Sequence, residues 1–438
     1  MNTRTHPFSD LIPRLAEPFT SIAEAPLDPL LERMGDAQVV LLGEASHGTS
    51  EFYRMRQRIT EELIRKKGFN CIAVEADWPD AEHVDDYVRA RDGKTERPRE
   101  AFARFPTWMW RNHEVLQFVD WLRRYNQDLA RETRVSFHGL DLYSLYGSIH
   151  EVLDYFAEQD PEAHDLALHR YRCLLHFEPE PQAYGSAVLQ ERYHRCEDAV
   201  VEMLRELIVR RLETVDARRE KVFDAEQNAR VVANAENYYR TLYHSGRESW
   251  NIRDKHMFET LSELLEVRGP EAKVVVWAHN SHIGDAGATE MSRRGETNLG
   301  AICRRFFGDR TYLVGFGTHR GTVAAADDWG APVEVKSVRP SLSGSFERLC
   351  HEAESARFML PLRRAVEEFP EAHNAAALER AIGVIYRPQT ERQSHYFETI
   401  LSRQFDEWIW FDETHAVKPL ERSHAPDLPE RHPFLFGD

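Results

Sequence analysis

The sequence predicts an α/β fold: a mostly parallel central sheet flanked by helices, with one long helical insertion. Two observations carry that expectation. Aliphatic runs of about four to eight residues, bounded by Gly, Asp or Pro, recur along the chain, as strands buried on both faces require. Between positions 186 and 245 there is neither Gly nor Pro, and the stretch is rich in Glu, Arg, Ala and Leu, so it reads as helix. At 438 residues the chain suits two or three domains, or one large α/β domain carrying an insertion.

In chain order, "VVLLGE" (39–44) is the first buried strand and "NCIAVEAD" (70–77) the second. Between them Phe52, Met55, Ile59, Leu63 and Ile64 recur at helical spacing, with Thr49 or Ser50 as N-cap and Gly68 as the stop. Strand, helix and strand at that spacing make a right-handed crossover. "VSFHGLDL" (135–142) is the third strand. The 186–245 stretch then reads as two long helices breaking near 214–217, either a covering insertion or a coiled-coil arm. "KVVVWAHN" (273–280), "TYLVGFG" (311–317), "GVIYRP" (383–388) and "WIWFDE" (408–413) follow as strands. The expected organisation is an N-terminal segment (1–34), a catalytic core (35–150 and 250–415), an insertion (151–249) and a tail (416–438).

Charge narrows the partners. With 56 basic against 73 acidic residues the net is −17, which argues against a nucleic-acid partner. No apolar run approaches the ~18 residues of a membrane span and the N-terminus has no secretory apolar region, so a cytoplasmic protein without membrane association is expected. Five Cys (71, 173, 196, 303, 350), odd in number and without CxxC, point to a reducing compartment with neither a disulfide framework nor a Cys zinc site. Monomer and homodimer both stay open.

Chemistry collects at the strand ends. The first strand ends in Glu44 with His47 beyond it, the second in Glu75 followed by Asp77 and Trp78. The third carries His138 and ends near Asp141, and the fourth runs into His279, His282 and Asp285. Open α/β sheets bind ligands outside the carboxyl ends of their strands, where strand order reverses. One such residue is usually a turn group; four strands unloading imidazoles and carboxylates at one edge would build a polar pocket. Arg56, about two helical turns from His47, either pairs with one of these acids, meets an oxyanion, or faces solvent. In "RFPTWMWRNHEV" Trp108 and Trp110 are two apart, with Phe105 nearby; an extended loop there would present both rings as an apolar wall for a bulky ligand, the alternative being core packing. There is no G-x-S-x-G elbow, Walker A loop, strand-led G-x-G-x-x-G or HExxH. "HNSH" spaces two His as a metal could use if the strand turns helical there.

Seven stretches together resemble the erythromycin esterase family: "LLGEASHGTSEFYRMR", "VEADWPDA", "RFPTWMWRN", "HGLDLYS", "WNIRDKHM", "WAHNSHIGD" and "AIGVIYRPQTERQSHYF", running in order from about 35 to 415. The resemblance implies an α/β hydrolase of ester bonds, some of whose members open the macrolactone ring of 14-membered macrolide antibiotics. It implies His47 as the general base, with Glu44 and Glu75 as the accompanying acids, Arg56 as the arginine of the first helix, and His279 or His282 as the second histidine. The expected reaction is then metal-independent attack of water on an ester or macrolactone carbonyl, without cofactor or covalent intermediate, with Trp108, Trp110 and Asp141 contributing to substrate binding. Two other readings use the same residues: a metal-dependent hydrolase, and a non-catalytic protein that binds a small ligand such as haem or a macrolide.

Overall fold

The computed structural model describes residues 6–93, 101, 102, 104, 106–214 and 219–420. Phe105, the expected break at 215–217 and most of the C-terminal tail lie outside them. Eleven strands are described: β1 (Glu17–Pro18), β2 (Val39–Leu42), β3 (Cys71–Asp77), β4 (Ser136–Asp141), β5 (Val274–Trp277), β6 (Thr311–Ala325), β7 (Glu334–Val338), β8 (Arg357–Pro361), β9 (Ala377–Arg380), β10 (Tyr396–Thr399) and β11 (Glu407–Thr414). Nine form the main sheet in the order β1-β8-β11-β6-β2-β5-β3-β4, with β7 on β6; β9 and β10 form a separate ribbon. From β11 to β4 every pairing is parallel, while β8, β1 and β7 add antiparallel pairs.

The central strands are aliphatic on both faces because helices cover both. Val40, Leu42, Ile72, Val74 and Val275 pack against Phe52, Met55, Ile59 and Leu63 of helix α1 (Ser50–Lys67). On the other face Val39, Leu41, Cys71, Ala73 and Val276 meet Met257, Leu261 and Leu264 of a helix spanning Gly246–Arg268. Helix α1 begins at Thr49, whose hydroxyl pairs with Ser46 rather than capping a backbone N–H, and it ends at Gly68 with φ +73°. Before the Gly246 helix run α2 (Trp78–Arg89), α3 (Leu145–Gln159), α4 (Pro161–Leu175), α5 (Pro181–Leu189), α6 (Glu197–Glu213) and α7 (Arg219–Leu242); Gly246–Arg268 is α8. Helices α3 to α7 share an apolar cluster of their own, including Phe156, Tyr171, Val200, Met203 and Tyr239.

Three expectations change. The 186–245 stretch does hold two long helices, α6 and α7, but its first residues finish α5 and a turn precedes α6. The run "GVIYRP" is not a strand: it makes only isolated bridges, Ile382 to Ser46 just before it and Ile385 to Ala326 within it, and Gly383 and Pro388 bound it too closely for a continuous ladder. Cys173, in the last turn of α4, and Cys196, before α6, are joined as a disulfide, a pairing made by helix packing that their 23-residue separation does not announce. Among the described residues, no helix is long and apolar enough to cross a membrane.

His138 sits on β4 with its ring stacked on Trp78, centroids 5.2 Å apart. Burial pushes its pKa down to about 3, against the opposing field of Asp85. The ring is therefore neutral when folded and charged when unfolded below pH 6.5. Full stability is expected above that value, with a loss that grows as pH falls from 6.5 towards 3. Denaturation midpoints across that window should show a shallower slope for His138→Gln than for wild type.

Candidate active site

Sheet register explains why distant segments converge. Leu42 is level with Trp277, and Trp277 with Val74, so the residues that follow, Gly43, Ala278 and Glu75, leave the sheet along one line. Here strand order reverses, since the chain passes from β2 out to β3 and β4 and later from β5 across to β6. Glu44, His47, Glu75, Asp141, His279 and His282 all gather at this edge.

Glu44 is fully buried and holds two partners. One carboxylate oxygen is 2.9 Å from His47 Nδ1, and the other accepts from the Arg56 guanidinium at 2.6 Å. Arg56 is thus neither solvent-facing nor at the cavity. It lies on the inward stripe of α1, its guanidinium 4.3 Å from the Tyr53 ring centre and 4.9 Å from that of Trp277, contacts worth about 2 kcal/mol when desolvated. The Tyr53 hydroxyl donates to the His47 and Met109 carbonyls, at 2.9 and 2.7 Å, and so ties the catalytic turn to the tryptophan segment. With Nδ1 donating to a carboxylate, the lone pair of His47 is on Nε2, which makes no hydrogen bond with any described residue and faces the cavity.

A second network is centred on Arg253 of α8. Its Nε and one terminal nitrogen hold Asp141 at 2.9 and 2.7 Å; the same nitrogen holds Glu75 at 2.8 Å, and the other lies 2.9 Å from His282 Nε2. His282 Nδ1 is 3.0 Å from Asp254, and the ring stacks on Trp250, nearly coplanar, at 4.6 Å. Burial works against charge on Glu75, but His282, His47 and Arg253 hold its carboxyl well below the usual range, so it is an anion and not a proton carrier. Burial also opposes charge on His282, and the Asp254 and Glu75 carboxylates overcome it, taking the pKa up to about 9. At that pKa the ring carries both protons near neutrality, Nδ1 towards Asp254 at 3.0 Å and Nε2 towards Glu75 at 3.3 Å.

His279 is built differently. It caps the short turn Asn280–Ile283, its Nδ1 accepting from the Ser281 backbone N–H at 3.2 Å and lying 2.8 Å from the Ser281 hydroxyl. Its proton therefore sits on Nε2, which is buried, with the Ala45 carbonyl as the backbone group that favours a proton there. Burial, with His47 beside it, keeps the ring's pKa well below 6.5. The His47 and His279 ring centres are 4.8 Å apart. The backbone of His279 donates to Glu75 at 2.8 Å and that of Asn280 to the Glu44 carbonyl at 2.9 Å, locking the three strand ends together.

These groups line a cavity whose empty volume, mouth included, is about 1280 Å³. Phe102, Pro106, Met109, Trp110, Trp329 and Ile385 supply its apolar side. The segment Thr107–Trp110 is a helical turn, not an extended loop, so the two tryptophans diverge: Trp110 reaches the cavity and donates to the Glu75 carbonyl at 3.0 Å, while Trp108 is buried in the core. Asp141 lines the cavity while engaged by Arg253. His138 and Asp285 do not line it; Asp285 caps a short turn. The residues sequence reasoning passed over are Trp250, Arg253 and Asp254, three members of the quoted "WNIRDKHM", and Asn280 between the two histidines. Their signal was an Arg–Asp pair about two turns into the helix and one turn after an aromatic. Among the described residues, no three His, Cys, Asp or Glu side chains are arranged to hold a metal ion.

The comparisons with known proteins agree with this architecture. The family model described as erythromycin esterase matches residues 64–414, a span that includes Glu75, Asp141, Arg253, His279 and His282. Erythromycin esterase type II of Escherichia coli is 24% identical over 315 residues, covering 68% of this chain and 73% of that protein. Among solved structures, a succinoglycan biosynthesis protein superposes with a TM-score of 0.78 at 23% identity, covering 94% of this chain and 98% of that one. A mutant of the erythromycin esterase EreC in its open conformation superposes with a TM-score of 0.63 at 15% identity, covering 94% and 97%. The chain belongs to the erythromycin esterase family.

Proposed function

We propose that the protein hydrolyses a carboxylic ester or lactone by direct attack of water, with His47 as general base. The observation that carries this reading is the arrangement of His47, its Nδ1 committed to Glu44 and its Nε2 open to the cavity, beside the His279 ring with its proton on Nε2. Nε2 of His47 removes a proton from water as the oxygen bonds to the carbonyl carbon, and Glu44 stabilises the resulting imidazolium. The carbonyl π electrons move to oxygen, and His279 Nε2–H donates to that oxyanion. Collapse breaks the ester C–O bond, and His47 returns its proton to the departing alkoxide. Arg56 acts through Glu44, holding it ionised and in place. Glu75 and Arg253 fix the backbone of His279 and the ring of His282, so the second network positions rather than reacts.

The Trp110 and Trp329 side of the cavity favours a substrate with a broad apolar surface, a macrolactone being one that the family name suggests. Aryl esters and erythromycin should be offered to wild type and His47→Ala, with mass spectrometry reading the gain of one water; equal turnover by the variant would remove His47 from the mechanism. His279→Ala is expected to lower kcat by about 10²–10³-fold, the worth of one oxyanion donor, with KM little changed. Turnover should also survive exhaustive chelation, and its loss with recovery on metal addition would favour a metal-bound nucleophile instead.

A further inference from the structure

Of the buried carboxyls that the mechanism does not use, Glu379 stands beside the turn that carries His279. Glu379, on β9, is fully buried, and one of its oxygens accepts from the Asn280 side-chain amide at 3.2 Å while the other has no hydrogen-bond partner among the described residues. No cation faces it. Asn280 approaches from the turn after β5, Gln404 from the turn Leu401–Gln404, and the carboxyl of Glu347 from the helix Phe346–Glu352. The neighbouring Arg380 points elsewhere, its guanidinium taken by the carbonyls of Thr318, His319 and Arg339 and by Glu391. A buried site with an amide donor, a second carboxyl nearby and no positive charge among the described residues favours an uncharged acid.

Asn280 is the joint through which this matters. Its backbone N–H holds the Glu44 carbonyl at 2.9 Å, its side chain bonds both the carbonyl and the N–H of Phe316 on β6, and it sits between His279 and Ser281 in sequence. Its amide oxygen lies so close beneath Gly43 that a Cβ there would be 2.2 Å away. We propose that Glu379 is a positioning residue: held as the uncharged acid, it anchors the Asn280 side chain and thereby fixes the turns that carry Glu44 and His279. This rests on the proposed roles of those two turns, but the state of Glu379 can be tested apart from turnover.

Burial and the nearby Glu347 carboxyl push the Glu379 pKa well above 4.5. Between 4.5 and that raised value the folded chain keeps a proton that the unfolded chain releases, so wild type loses stability as pH rises. Glu379→Gln copies the uncharged acid. Its melting temperature should match or exceed that of wild type, with the advantage growing as pH rises above 4.5. The ring signals of His47 and His279 in NMR should stay in place in Glu379→Gln and move in Glu379→Leu. In ester turnover, Glu379→Gln should stay near wild type, while Glu379→Leu should lose kcat by about 10²-fold, the size that a misplacement of about 1 Å brings, at nearly constant KM. A Glu379→Gln variant less stable than wild type at high pH would overturn the uncharged state. Histidine signals and kcat disturbed equally by Gln and Leu would overturn the positioning role. If wild type cleaves no ester, the melting and NMR results still decide the proposal.

Discussion

His47→Ala is expected to lower ester turnover by about 10²–10⁴-fold, the range for loss of a positioned general base. The size follows from the absence of a substitute. Glu75 and Arg253 are committed to each other, His282 has Asp254 on Nδ1 and Arg253 on Nε2, and His279 offers a proton where a lone pair is needed. None of the three can turn to the water without breaking a buried hydrogen bond. Stability should change little, because His47 lies at the cavity surface and its removal leaves Glu44 still paired with Arg56. Glu44→Gln should give a comparable loss by another route: with its oxygen held by the Arg56 guanidinium, the amide turns an N–H towards His47 Nδ1 and moves the ring's proton to Nε2, where the lone pair is needed. The measurement is kcat for an aryl ester across pH 5–9, on protein whose melting temperature has been checked. A His47→Ala variant that keeps wild-type turnover would move the base elsewhere.

Much of this site was legible in the sequence because a parallel strand buried on both faces has no use for a charged residue until it leaves the sheet. Glu44, Glu75, Asp141 and His279 each stand at the end of an aliphatic run, and equal register brings them to one line. Arg56 was ambiguous for a physical reason: it occupies the α1 stripe of Phe52 and Ile59, and a lone arginine there is satisfied only by a carboxylate whose position depends on the strand packing above it. Arg253 was harder still. Its three partners lie on β3, at the end of β4 and after β5, more than a hundred residues away in two cases, and nothing in α8 alone marks one arginine as the hub. The tryptophan pair shows the opposite failure. Two-residue spacing means a shared face only in extended chain, and Pro106 starts a helical turn that separates the rings. The strands missed, β1, β7, β8 and the β9–β10 ribbon, lie outside the fully parallel block or at its edge, where short and partly polar segments carry little pattern.

Arg253→Ala should be the most destabilising single change in the site, by about 3–5 kcal/mol, the cost of leaving buried charges without their partner. The guanidinium is the direct counter-charge to Asp141 and Glu75, both buried, and it also meets His282 and lies 4.7 Å from the Tyr143 ring centre. Without it two carboxylates face each other across a void, and His282 becomes the nearest cation to Glu75, at 3.3 Å. Arg253→Lys should recover only part of the loss, since one ammonium cannot reproduce the fork that spans Asp141 and Glu75 together. The pH dependence gives the decisive reading. Arg253 is among the groups that hold the Glu75 carboxyl well below 4.5, so its removal raises that pKa and lets Glu75 take up a proton in the folded state as pH falls. The stability gap between wild type and Arg253→Ala should therefore be widest near neutrality and narrow below about pH 4.5. Adding Asp141→Asn to Arg253→Ala should return part of the lost stability by removing one orphaned charge, a coupling that a double-mutant cycle in denaturant reads directly. Equal gaps at pH 4 and pH 7, with no coupling in the cycle, would mean that packing of the arginine stem, and not its charge, holds the strand ends together.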